Sequence, residues 1–197
     1  MAVPETTPRH IAWLMVVWIM VCWVHPAAGF SADTNEASRH VDAANAFIRQ
    51  HRYEEARHEF EQALRLDPTN GPANSGMGNV YAGLQQCTEG IPYLEKALAI
   101  NRDDETAVFG LGACYMDLQQ HEKAIPYLAR LVKMRPTLSK ASDILAVAYV
   151  RRGAVYGRQG QNGKARAAIQ AALALFEKTS NTARADELRQ MLHDMPQ

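Results

Sequence analysis

The chain has 197 residues, of which 47% are hydrophobic, and its 21 basic residues balance its 21 acidic residues. A chain of this length suits one domain, or a short repeat array preceded by a leader segment. Because there is no basic excess, the sequence lacks the electrostatic footprint of a nucleic-acid-binding protein and a polybasic patch for anionic lipid. The three cysteines are too few for a disulfide-based scaffold or a four-cysteine zinc site.

Residues 1–29 have the pattern of a secretory signal peptide. Arg9 precedes an uncharged stretch at 11–24, and the small residues at 27–29 offer a cleavage site after Gly29. If the leader is not cleaved, an apolar run of about 20 residues would be long enough for an inner-membrane anchor. In both cases Arg9 would keep the N-terminus in the cytoplasm and place the rest of the chain outside it. We therefore expect an exported protein of the periplasm or cell envelope, which contacts the membrane only through an uncleaved leader.

Residues 30–36 are polar and predict a short linker or a frayed helix start. From residue 37 to about residue 138 the sequence repeats every 34 residues without an insertion, and the step continues into a fourth unit. Aromatic, apolar and small positions all keep this one register, and so many agreements establish an internal repeat. The residues that keep the step are Phe47, Tyr81, Tyr115 and Tyr149; Phe60, Leu94 and Leu128; and Gly78, Gly112 and Ala146.

These residues resemble the tetratricopeptide repeat (TPR) pattern, whose unit is a helix–turn–helix of 34 residues. The family's small, aromatic and proline positions are occupied in the first unit by Ala43, Ala44, Phe47, Ala56, Phe60, Ala63 and Pro68. The second unit departs from the family pattern at Gly90 and Arg102. The resemblance covers residues 37–177 and implies an all-α fold, a right-handed superhelical solenoid of antiparallel helix pairs that binds other proteins.

In chain order, the pattern predicts regular units at 37–70, 71–104 and 105–138, with helices at 38–50, 53–66, 72–85, 89–100, 105–119 and 122–134. Asn70, Asp104 and either Thr137 or Ser139 are predicted to cap the next helices. The fourth unit, 139–178, is lengthened by seven residues, because its turn signal comes late, at 160–163. Its helices are expected at 139–158 and 164–178. Residues 179–197 are expected to form a capping helix, at 182–193, and a tail.

The sequence contains no motif that predicts catalysis, a metal site or a cofactor. Glu54 and His58 stand one helical turn apart and could form half of a metal site, but a solvated helix face with such pairs is the commoner arrangement. The glycines of 76–81 are not preceded by a strand, as a nucleotide-binding loop would require. In the TPR family the places of Cys87 and Cys114 lie near the same end of adjacent helices. These cysteines are therefore either two small buried residues or a disulfide.

The resemblance also implies a concave groove lined by the first helix of each unit. The asparagines of this groove could hydrogen-bond the backbone of an extended peptide, and Phe109 and Met116 resemble anchors for an apolar side chain. The TPR clamp for chaperone peptides has basic residues where this chain has Val41, Thr106 and Gly110, so that specificity is not expected. The predicted groove residues are Asn45, Ile48, Arg49, Ser75, Asn79, Phe109, Met116, Asp117, Asp143, Val147, Val150 and Arg151.

The sequence therefore predicts a non-catalytic adaptor of the cell envelope, with a protein or peptide partner and no nucleic acid. This adaptor would hold a peptide or a partner subunit in its groove during the assembly of an envelope complex. The alternative is a self-assembling structural scaffold, a homo-oligomer in which one solenoid docks on the next.

Overall fold

A computed structural model describes residues 27–195, with side chains from residue 33. This part of the chain is all helical, without strands, as the sequence predicts. The predicted signal peptide lies outside the described residues, except for its last three positions. Among residues 27–195 no helix is both long and apolar enough to cross a membrane. The helices are α1 (Ala27–Arg49), α2 (Tyr53–Leu66), α3 (Gly71–Gly83), α4 (Cys87–Ile100), α5 (Glu105–Asp117), α6 (His121–Met134), α7 (Ser139–Arg158), α8 (Asn162–Lys178) and α9 (Thr182–Asp194).

The helices pack in sequence order as hairpins. The two helices of each unit contact each other, and the second helix of units one to three contacts the first helix of the next unit. In addition, α1 contacts α3 and α3 contacts α5. The first helices of units one to three therefore form one layer. The C-terminal helix α9 packs on α8.

Close contacts within the hairpins recur at the step of the sequence repeat. A Cβ atom added to Gly78 would lie 2.4 Å from Cγ of Leu94, which is fully buried. One unit later, a Cβ atom on Gly112 would lie 2.8 Å from Cδ2 of the buried Leu128. Larger residues at these glycine positions would hold the two helices of the hairpin apart. The period thus reflects a contact between first and second helices that is built again in each unit.

The turns inside the hairpins show where the fourth unit is lengthened. In units one to three the turn contains a residue with positive φ, at His51 (58°), Gln85 (62°) and Gln119 (58°). The next residue at this step would be Gly153, but Gly153 is helical, and the positive φ of 70° falls on Gly160. Since Gly160 comes seven residues later, α7 carries two extra helical turns and the predicted lengthening is confirmed.

Several local predictions need correction. Residues 30–36 are helical, because α1 continues upstream from the buried Ala37 through a polar segment that contains no proline or glycine to stop it. α4 begins two residues earlier than predicted and α6 one residue earlier. Pro92 and Pro126 are therefore the sixth residues of their helices and lie beyond the first turn.

The predicted helix caps are confirmed for two helices and wrong for a third. The side chain of Asn70 accepts a hydrogen bond from the Ala73 amide at 2.9 Å, and Asp104 accepts one from Ala107 at 3.0 Å. The N-cap of α7 is Leu138, which has no side-chain acceptor, so neither Thr137 nor Ser139 caps this helix.

Candidate functional site

The predicted groove residues all lie on the first helices α1, α3, α5 and α7, whose outer surface we name the first-helix face. Their exposure differs along the array. The exposed residues are Asn45, Arg49, Phe109, Asp117 and Arg151; the half-buried ones are Ile48, Asn79, Met116, Asp143, Val147 and Val150; Ser75 is buried.

At the α1 end, the first-helix face is polar outside and apolar beneath. Ile48 packs against the core cluster around the buried Phe60. Within the described part of the chain, the side chains of Asn45 and Arg49 have no hydrogen bond or ion pair. Neither side chain would have to break an internal bond to contact a partner, and their role in the groove stays a prediction.

Ser75 does not line the face. Its side chain is only 4% exposed, and its hydroxyl donates a hydrogen bond to the Pro72 carbonyl oxygen at 3.2 Å. The prediction for this residue is corrected, because the small side chain turns into the contact between helices. Asn79 is half-buried beside α5, where its Oδ1 would lie 2.7 Å from a Cβ atom added to Gly110. It remains at the edge of the face.

An open cavity of about 530 Å³ lies between units three and four. Phe109 on α5 is 42% exposed, and Leu138, just before α7, is 46% exposed. The buried Leu131 and Ala141 form the floor, and Ile144 on α7 completes the apolar lining. Exposed large apolar side chains that converge on one cavity are typical of a binding site for an apolar group.

The cavity coincides with a change of residue type at one repeat position. This position is Gly76 on α3 and Gly110 on α5, but it is Ile144 on α7. A Cβ atom on Gly110 would lie 2.7 Å from Oδ1 of Asn79, so glycine permits the direct contact of α3 with α5. The isoleucine side chain takes up that space on α7. The gap between α5 and α7 remains open, with Phe109 and Ile144 on opposite sides.

The rim of the cavity is charged. Arg135 Nε donates to Glu105 Oε2 at 2.7 Å across the opening, and Lys140 stands beside them. The Arg135 and Glu105 side chains are 60% and 42% exposed, so this ion pair contributes at most about 1 kcal/mol to stability. A partner can displace the pair at low cost. The site therefore combines an apolar interior with a rim whose net charge is plus one.

In unit four, the predicted groove residues are engaged by the C-terminal part of the chain. Oδ1 of Asp143 accepts a hydrogen bond of 2.8 Å from the hydroxyl of Thr179, in the turn between α8 and α9. Val147 and Val150 pack against the cluster that includes Phe176 and Leu188. Of the four predicted groove residues in this unit, only Arg151 is exposed. The helices after α7 thus cover much of the predicted groove in this unit.

At the other end of α5, Met116 packs against the central core cluster, and Asp117 accepts a weak hydrogen bond of 3.8 Å from the Cys87 thiol. Cys87 and Cys114 are both free and buried, so the structure contains two thiols rather than a disulfide. Burial raises the pKa of both thiols, which disfavours the nucleophilic thiolate. Within residues 27–195 no three His, Cys, Asp or Glu side chains are grouped to hold a metal ion.

Sequence reasoning missed Leu138 and Ile144, because neither is at a position transferred from the family groove. Two signals were available. Leu138 is a large apolar residue in a turn that is otherwise polar. Ile144 breaks the glycine series of positions 76 and 110.

Comparison with known families and structures identifies the architecture. Two family profiles described as tetratricopeptide repeat match the chain, one over residues 103–178 and the other over 37–70. No curated protein sequence matches the chain.

Solved structures with a similar fold include several repeat proteins. YrrB, described as a TPR protein with an unusual peptide-binding site, is 23% identical, with 86% of this chain and 93% of that chain aligned and a TM-score of 0.57. MamA from Desulfovibrio magneticus is 19% identical over 79% of this chain and 90% of that chain, with a TM-score of 0.57. The first TPR of Spaghetti (RPAP3), bound to an HSP90 peptide, is 23% identical, with 58% of this chain and 94% of that chain aligned and a TM-score of 0.55.

Proposed function

Because the chain belongs to the tetratricopeptide repeat family, we propose that it is a non-catalytic adaptor that binds a protein or peptide partner on its first-helix face. The cavity between units three and four carries this proposal. It receives an apolar side chain of the partner, and the polar surface of units one and two receives the partner's backbone.

The geometry supports this division of roles. Phe109 and Leu138 each expose more than two fifths of their surface in the free protein, and burying this remaining part contributes about 1 kcal/mol per side chain to binding. Asn45 and the half-buried Asn79 lie on the two preceding first helices and bear amide groups that suit an extended peptide backbone. YrrB and the RPAP3 domain are described as peptide-binding, which is consistent with this use of the fold.

The proposed place of action is the cell envelope, where the adaptor would hold a peptide or a partner subunit during the assembly of a complex. Residues 1–29 support this part of the proposal through their charge, apolar core and small-residue site. Cell fractionation tests it: we expect the chain in the periplasmic or envelope fraction, and recovery in the cytosol would contradict it.

Co-purification from the native envelope fraction tests the binding site. The chain exposes four large apolar residues in its described part, of which Phe109 and Leu138 share the cavity, whereas Ile100 and Met191 lie elsewhere. The variant F109Q/L138Q should lose a discrete partner that the wild type retains. The matched control I100Q/M191Q removes similar apolar surface and should retain the partner. Equal loss in both variants would contradict the assignment.

Light scattering over a dilution series separates this proposal from a self-assembling scaffold. The adaptor is expected to keep one mass at all concentrations when its partner is absent. Oligomers that grow with concentration and form without a second protein would favour the scaffold instead.

A further inference from the structure

A second open cavity, of about 650 Å³, lies at the other end of α7 from the cavity between units three and four. Its walls are the turn between α5 and α6, the start of α6, the C-terminal part of α7 and the start of α8. This part of α7 is the seven-residue extension and the residues next to it. A shorter first helix, as in units one to three, would not extend past the neighbouring turn. The cavity is therefore a product of the lengthened unit.

The lining is rich in positive charge. Lys123, Arg152 and Lys164 face one carboxylate, Glu122, whose oxygen already accepts a hydrogen bond from the Tyr156 hydroxyl. None of the three cations has an ion pair in the described part of the chain. Three positive charges and one negative charge leave a net charge of plus two in the lining.

Aromatic rings position these cations. The Arg152 guanidinium lies 4.9 Å from the centre of the Tyr149 ring, and the Lys164 ammonium lies 5.6 Å from that of Tyr156. The Lys123 ammonium is similarly placed, 5.5 Å from the ring of Tyr115. Cation–π contacts hold the side chains without using their N–H groups as donors to a carboxylate. The donors are therefore free to bind a ligand.

Two buried polar atoms in the lining have no hydrogen-bond partner in residues 27–195. One is Nε of Arg152 and the other is Nδ1 of His121, whose side chain is only 8% exposed. Buried polar atoms are usually paired, so these two side chains have hydrogen-bonding capacity that the described part of the chain does not use. Burial and the nearby Arg151 and Arg158 lower the pKa of His121, which favours the neutral imidazole, whose single N–H can donate one hydrogen bond.

Two helices also begin at this cavity. α6 starts at His121 and α8 at Asn162, and neither Gln120 nor Gln161, their N-caps, supplies a side-chain hydrogen bond. Within residues 27–195, the amides of His121 and Glu122 in α6 and of Asn162 and Gly163 in α8 therefore have no acceptor, whereas the Lys123 amide donates to the Gln120 carbonyl oxygen at 2.9 Å. Such helix starts attract anions through their free N–H groups and the helix dipole.

We propose that this cavity, lined by Lys123, Arg152 and Lys164 at the starts of α6 and α8, binds a phosphate group. A doubly charged phosphate neutralises the excess of two positive charges, whereas a single carboxylate would neutralise only half of it. Its oxygens accept hydrogen bonds from the lysines, from Arg152 and from the free amides. Inorganic phosphate, a soluble phosphate monoester and a lipid headgroup share this chemistry.

Amide NMR of the full chain at pH 8 and low ionic strength tests the proposal, with inorganic phosphate as the first probe. We expect saturable shifts of the amides of His121, Glu122, Asn162 and Gly163. In K123Q/K164Q the affinity should fall by roughly tenfold or more, because each lysine supplies a charge-assisted hydrogen bond. The control K133Q/K178Q removes the same charge at the far ends of the same two helices and should bind within about twofold of the wild type.

Two further probes, glycerol 3-phosphate and vesicles that contain phosphatidic acid, distinguish a soluble phosphate monoester from a lipid headgroup as the ligand. Tighter binding of the soluble ester identifies a small phosphorylated molecule, and binding of the vesicles alone identifies a lipid headgroup; either result supports the site. The proposal is overturned if none of the three probes gives saturable shifts at these amides. It is also overturned if the two double variants lose binding equally, since that would indicate unspecific attraction.

Discussion

The junction between units two and three is closed, whereas the junction between units three and four is open. In the closed junction α3 contacts α5, with Gly110 against Asn79 and Leu94. In the open junction the same repeat position is Ile144, and a cavity separates α5 from α7. The comparison teaches that the repeat builds the framework, while a departure from the repeat creates the site. The predictions below test the two regions against each other.

The largest effect is expected when an aromatic residue is truncated in the closed region. Phe60 is fully buried against α3, and Phe60→Ala should lower the free energy of unfolding by about 3–5 kcal/mol. Phe109→Ala, in the open region, should lower it by about 1 kcal/mol or less, because 42% of the side chain is already exposed. Urea denaturation measures both. Equal losses would mean that Phe109 is a core residue and not part of a binding surface.

The next effect comes from adding a methyl group at the repeat position that distinguishes the two junctions. A Cβ atom on Gly76 would lie 2.1 Å from Cζ of the buried Phe60 ring, so Gly76→Ala should destabilise the chain by about 2 kcal/mol. Gly157→Ala, in the extension of α7, has nothing within 4 Å of the new atom. It should stabilise the helix by about 0.5–1 kcal/mol. A gain in stability from both changes would contradict the close approach of the helices at Gly76.

A smaller effect is expected where unit four is covered by the C-terminal helices. Asp143→Ala removes the acceptor of the Thr179 hydroxyl and should lower the free energy of unfolding by about 1 kcal/mol. Thr179→Val should have a similar effect, and the double variant should lose little more than either single variant. Strictly additive losses in urea denaturation would show that the two side chains do not interact.

The smallest effect concerns pH and His121. Burial, then Arg151 and Arg158, lower the pKa of the imidazole below its ordinary value of 6.5. As the pH falls below about 6.5, the unfolded chain binds a proton before the folded chain does. Stability is therefore fully present above that pH and declines as the pH falls towards the lower pKa of the folded state. His121→Gln should reduce this acid-side decline, and an unchanged pH profile of unfolding would contradict the assignment.

The sequence predicted the helices well, because the period of 34 residues reports contacts that every unit repeats. It also predicted the lengthened fourth unit from the late glycines near Gly160. The cavity between units three and four was not predicted, since a family position describes a regular unit and cannot show what Ile144 does when it replaces glycine. Ser75 was assigned to the groove for the same reason: the position is external in the pattern, but a small side chain there turns inward.

Photo-crosslinking in cells that produce the chain tests the central claim most directly, with benzoylphenylalanine placed in turn at positions 109, 138, 100 and 191. If the partner binds at the open junction between units three and four, positions 109 and 138 should give one discrete adduct with a second protein. Positions 100 and 191, which are equally exposed and apolar, should not. Equal adducts from all four positions, or adducts that contain only copies of this chain, would contradict the account.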